Sequence, residues 1–484
     1  MKFNRFNTIS YIVIFAVLIL GVNFRIYNQS IFKLLVPLII GGLGVYYYAN
    51  NDISKYLKLG ILVLFLGHNS NQYFFIVLTI LLFNTKILLP FKTPVKYLYL
   101  MLGIGGLSFL LNQVIEINLY SFPFFLASFF LPVAFYSITQ KYGNEIIKQE
   151  IVDFYIMIVF LLSISALYQY LFFGAIVDGL TGGTTSAHTL GFHLAVAFIL
   201  YLCRLMTMNG IKDLTLYDWA LGLSIIPIMY LSDSKYLMGN MIIGFFIIYM
   251  FYHTNKILKP FLIMISALLL FLSADIIRTA NFTMSVKSDI NISNIGLRFT
   301  DSAKYQLYEK TIKLPFNEPL VFLFGSGPGT FLSRAANSRA FDTMDKKTST
   351  GGGSSVEVES KLPSFIPAHT SWVTKEYAVM YFGQDWFGTL LDFRSSLVSL
   401  FWEFGVIGFV FFILFFYKII HLMNRAKRKF KFLKPDALFI QSFIVFYFLN
   451  AALAYYFEYP NTQILFWMFI GLYTNRELMS NLSK

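Results

Sequence analysis

Apolar runs long enough, or nearly long enough, to cross a bilayer recur along most of the chain, more than a water-soluble fold could bury. They lie at about residues 8–24, 31–49, 55–67, 72–86, 97–112, 119–138, 150–174, 187–207, 215–232, 235–253, 260–276, 396–420, 437–457 and 459–474. A hydrocarbon core about 30 Å thick takes roughly 20 apolar residues of helix, since each residue rises about 1.5 Å. The runs therefore predict an all-α polytopic integral membrane protein with about 14 spans. The third and fourth runs, parted by HNSN at 68–71, are short enough to be a re-entrant pair, which gives a range of about 12–14. Only 13% of the 484 residues are charged, about half the share usual in soluble domains. The first run follows MKFNRFN and has no small-residue cleavage site, so it reads as a retained first helix and not as a signal peptide.

The formal charge of +13 would suggest nucleic acid in a soluble protein, but its distribution reports topology instead. With the N-terminus in the cytoplasm, alternate loops collect Lys2, Arg5, Lys55, Lys58, Lys86, Lys92, Lys96, Lys141, Lys148, Arg204, Lys212, Lys256 and Lys259. The same side receives the basic loop at 418–436, then Arg476 and Lys484, for 22 of the 38 cations. Short loops on the other side carry little beyond Arg25, Lys33 and Lys235. The positive-inside rule then places both termini in the cytoplasm. Cys203, the one cysteine, excludes an internal disulfide and a thiolate cluster.

Three regions follow. Residues 1–276 form an N-terminal bundle of about 11 spans, 277–394 a long polar segment on the outer face, and 395–484 about three further spans. The polar segment has 13 basic and 11 acidic residues, a helix expected around DSAKYQLYEKTIKL, and a linker-like TSTGGGSSVEVES at 348–360. No internal repeat and no chain of intramembrane carboxylates points to a secondary transporter.

Several residues on the outer side could carry chemistry. Lys235, in LSDSKYLMGN, either reaches the interface or pairs with Asp233, or else lines a cavity that receives a phosphate. Arg298 opens a stretch that runs to Gly325, Gly327 and Gly329 in GSGPG. Successive N–H groups of such a turn can cradle an anion, although the pattern is neither a Walker loop nor a dinucleotide fingerprint and fits a structural turn as well. His369 lies in PAHTSW, Arg394 precedes the twelfth run, and Glu403 lies just inside it. Nine residues apart on a helix, Arg394 and Glu403 point in roughly opposite directions. No metalloprotease, serine-hydrolase, kinase or P-loop signature is present.

In their order along the chain, these elements resemble the O-antigen polymerase and ligase family of bacterial envelopes, which comprises Wzy-type polymerases and lipopolysaccharide O-antigen ligases. The resemblance covers roughly residues 180–420. It rests on TGGTTSAHTLGFHLAVAFIL, SDSK at 232–235, Arg298, NEP at 317–319, GSGPGTF at 325–331 and EFGVIG at 403–408. It implies a GT-C-like architecture and a metal-independent glycosyltransferase without cofactor, acting at the periplasmic face of the inner membrane. The implied donor and acceptor are undecaprenyl-diphosphate-linked glycans, with a chain-length regulator and a flippase as possible partners and no nucleic acid. On this reading Arg298 and Arg394 hold the diphosphate with help from Lys235 and the glycine turn, and His369 or Glu403 is the base. Lys235 stands where the family more often has Arg, and Arg394 falls where its ligases carry a His. The second departure favours a polymerase over a ligase, with a lipid-linked glycan transporter as the other alternative.

Overall fold

The computed structural model describes residues 30–65, 69–83, 94–112, 121–174, 187–205, 235–252, 303–328, 395–453 and 456–475, with short pieces at 180–182, 184, 225, 227–229 and 231–232. The expected spans at 8–24 and 260–276, most of the one at 215–232, and the linker at 348–360 lie outside these residues.

Every regular element described is helical. In chain order these are α1 (Ser30–Ala49), α2 (Ile53–Phe65), α3 (Asn69–Phe83), α4 (Lys96–Asn112), α5 (Ser121–Phe125), α6 (Val133–Tyr142), α7 (Glu145–Phe173), α8 (Ala187–Leu205), α9 (Lys235–Tyr252), α10 (Ala303–Asn317), α11 (Pro319–Phe324), α12 (Ser396–Lys429), α13 (Lys434–Leu453) and α14 (Pro460–Tyr473). Among them α7, α12 and α13 are long and apolar enough to cross a membrane, and parts of α1, α3, α4 and α8 form shorter apolar helices. The chain is an all-α, membrane-embedded protein.

Local chemistry sets the helix limits. The Asn144 side chain caps α7 by accepting from the Ile147 N–H at 2.8 Å, and Gly174 ends the helix at φ 61°, a left-handed turn that glycine adopts without steric cost. The apolar run at 119–138 is not one continuous α-helix. A π-helical stretch, Leu126–Phe130, separates α5 from α6 just ahead of Pro132. Proline has no N–H and its ring crowds the carbonyl four residues earlier, so the chain widens there, with Leu131 N–H donating to Leu126 O at 2.8 Å.

The described parts of α2 and α3 have 13 and 15 residues, or about 20 and 22 Å. At its start α2 is tied to α7 by Lys58 Nζ and Glu150 Oε2, 2.8 Å apart, and at its end Phe65 packs on His193 of α8. Helix α3 returns to place Phe83 against Tyr48, Tyr56 and Tyr142.

At this same end the buried Lys148 of α7 lies 2.8 Å from Glu145, bonds to Asp436 of α13 and sits over the Tyr473 ring of α14. The starts of α2, α7 and α13 and the ends of α3, α12 and α14 thus gather at one basic end. In the interior, Phe412, Phe415 and Phe416 of α12 interlock with Tyr447 of α13 and Phe466 and Trp467 of α14, directly or through Phe457. Lipid tails are as apolar as these rings, so close packing and dispersion hold the helices together more than exclusion of water does.

Candidate functional site

The opposite end of the bundle holds the two glycine motifs. Helix α12 breaks at Gly405, where φ is 65° and ψ 179°. Such a break leaves carbonyls of the preceding turn without their usual helical donors. The donors come from the turn after α11: Ser326 N–H bonds to Trp402 O at 2.9 Å and Gly327 N–H to Glu403 O at 3.0 Å. The Ser326 hydroxyl also donates to Trp402 O, at 3.2 Å. Trp402 lies six residues, about 9 Å, along α12 from Ser396. Non-helical backbone at such depth is tolerated where protein satisfies its polar groups, and the break and the turn do this for each other.

Glycine is required on both sides of this junction. Gly325 and Gly327 have φ 85° and 100°. A Cβ on Gly325 would lie 2.3 Å from Glu403 O, one on Gly327 2.6 Å from Phe109 Cα, and one on Gly405 2.4 Å from Leu323 O. Helix α4 closes a third side, with Gly105 under the Phe404 ring and the Ser108 hydroxyl donating to Phe324 O. Above the junction α10 lies across the bundle, held by Trp402 Nε1–H to Thr311 Oγ1 at 2.9 Å and Tyr308 O–H to Ala452 O at 2.6 Å. Residues 303–328, read from sequence as part of a soluble outer segment, are therefore packed onto the membrane bundle.

Of the residues singled out in the sequence, Glu403, Gly325 and Gly327 meet at this junction, with Glu403 fully buried. The N–H groups of Gly325, Ser326 and Gly327 are directed to the carbonyls of Val321, Trp402 and Glu403. Directed this way they are not presented as an anion cradle, and the turn serves as a docking piece. Lys235 begins α9, which runs antiparallel to α13: Asn240 bonds to Asn450 at 2.9 Å, and Gly244 lies against the Phe446 backbone. The Lys235 end of α9 is thereby at the same end of the bundle as Glu403. Arg298, Gly329, His369 and Arg394 lie outside the described residues.

Sequence reasoning missed Trp402, Thr311, Ser108 and Gly105, and also the pairing of the two glycine motifs. The available signal was that each motif interrupts an apolar stretch and so needs a partner for its backbone. No family model, curated protein or solved structure matches the chain.

Proposed function

We propose that the chain polymerises polyprenyl-diphosphate-linked oligosaccharide repeat units at the outer face of a bacterial inner membrane, building an O-antigen, capsule or exopolysaccharide. The observation that carries this reading is the junction. Two segments that entered the resemblance separately, GSGPG and EFGVIG, are joined by backbone hydrogen bonds, and the Lys235 end of α9 lies at the same end of the bundle. The positive-inside rule assigns the opposite, basic end to the cytoplasm, so the junction faces out.

In the reaction a hydroxyl of one lipid-linked unit attacks the anomeric carbon of another. A carbon–oxygen bond forms there, the bond to the diphosphate oxygen breaks, and the hydroxyl proton passes to a base. Arg298 and Arg394 stabilise the charge that grows on the diphosphate, because guanidinium groups stay charged and grip phosphate oxygens in pairs. Lys235 assists. Glu403 is buried in the junction, so we assign the base to His369, with Glu403 as the rival base. The break in α12 also raises the transporter reading, since transporters bind substrate at interrupted helices. Two of the carbonyls at this break are taken up by the turn and do not line a pathway, which favours the enzyme.

Single Ala variants of Arg298, Arg394 and His369 test the assignment through the length of surface glycan. Folded variants are expected to accumulate single repeat units, with each arginine loss costing about 100-fold or more in rate. Full-length polymer from all three would defeat the site assignment. Long polymer retained on the carrier lipid would indicate a ligase.

A further inference from the structure

Helix α10 and α11 present an apolar stripe that the bundle leaves uncovered. Ile312, Phe316 and Leu320 are 74%, 86% and 72% exposed, and Leu323 and Phe324 beside them are also exposed. Ile312 and Phe316 lie one turn apart on α10. The next stripe of the same helix is polar, with Lys313 and Glu309 paired across one turn. A third side faces the protein through the buried Leu314 and the Thr311 bond to Trp402. A helix with one side on protein, one polar and one apolar has the form of an element lying in a membrane interface.

Depth and continuity identify what covers the stripe. The turn after α11 bonds to α12 at Trp402 and Glu403, below the start of that helix at Ser396. Phe324 is held to Ser108 of α4, whose neighbours Leu107 and Leu110 are 55% and 72% exposed. Exposed apolar side chains are thus carried by α4, α11 and α10, which adjoin one another through the Ser108 bond to Phe324.

We propose that α10 and α11 form an interfacial anchor whose apolar stripe is seated in the acyl chains of the bilayer leaflet at this end, with Lys313 and Glu309 at its aqueous edge. The junction around Glu403 is thereby held at the lipid–water boundary, where an amphiphilic substrate is met and a water-soluble one is not. This inference stands on exposure and packing alone, independent of the reaction assigned above.

Site-directed spin labelling of the full chain in liposomes tests it. The one native cysteine, Cys203, is buried, so single cysteines can be introduced in a Cys203→Ala background, or in the native background if that variant fails to fold. Nitroxides at Ile312→Cys, Phe316→Cys and Leu320→Cys are compared with a lipid-facing reference, Leu110→Cys, and a water-facing one, Lys55→Cys. The expected result is relaxation by oxygen over nickel chelate at the three positions, shifted to the Leu110 ratio, with Lys313→Cys shifted toward Lys55. Preferential relaxation by nickel chelate at the three positions would place the stripe in water and overturn the proposal. Low access to both reagents would overturn it too, by showing that another part of this chain or a second copy covers the stripe.

Discussion

Gly405, at φ 65° and ψ 179°, occupies a region that is nearly closed to L-residues, at a cost of about 1–3 kcal/mol, and its missing side chain leaves room for the Leu323 carbonyl and the Gly325 amide. Gly405→Ala and Gly327→Ala should each lower stability by more than that conformational cost, because the added carbon would press on backbone atoms that cannot swing away. Gly106→Ala is the control, since an added Cβ there meets nothing within 4 Å and alanine favours helix by about 1 kcal/mol. Thermal unfolding in detergent, followed by size-exclusion chromatography, ranks the three. Equal midpoints for Gly405→Ala and Gly106→Ala would mean that the junction is not close-packed. Little of this was legible residue by residue. The sequence marks Gly325, Gly327 and Gly405 as points of backbone freedom, but a glycine that opens to a ligand and a glycine that admits another backbone look alike until the partner strand of chain is placed.

At the scale of elements, apolar runs locate helices well where lipid or core fixes both ends. The runs at 187–207, 235–253 and 459–474 correspond closely to α8, α9 and α14. Hydropathy reports burial in apolar surroundings and not the end of the hydrogen-bond ladder, so the run at 396–420 stops short of α12. That helix continues to Lys429 through a basic last turn that complements its dipole. The π-helical break before Pro132 escapes hydropathy because its residues remain apolar. The ends of α7, α13 and α14 are fastened by Lys148, whose partners Glu145 and Asp436 would lose their cation in Lys148→Met. Removing one member of a buried pair costs about 3–5 kcal/mol, and the partial exposure of Asp436 places this case toward the lower end. The double variant Lys148→Met with Asp436→Leu should regain most of the loss, because no buried carboxylate is then left at that contact. A single variant as stable as the parent in the same unfolding assay would contradict this account of the basic end.

For the whole molecule, charge and packing bear on the same polarity. The basic loops selected by the positive-inside rule adjoin helix ends that the structure gathers around Lys148 and Glu150, while the glycine junction, the Lys235 end of α9 and the interfacial stripe lie at the other end. Sequence could sort loops into two sets because the distribution of cations is set by the membrane and not by the fold. It could not reveal that 303–328 belongs to the bundle, since a segment with its own charges reads as soluble until the apolar side of its helix is seen. We propose that this polarity serves glycan polymerisation. The most direct measurement reconstitutes the purified chain in liposomes with a defined polyprenyl-diphosphate oligosaccharide as the only substrate. The expected result is a ladder of products differing by one repeat unit, with polyprenyl diphosphate released at each step. A folded, reconstituted chain that leaves single repeat units unchanged, or that only moves them across the bilayer, would contradict it.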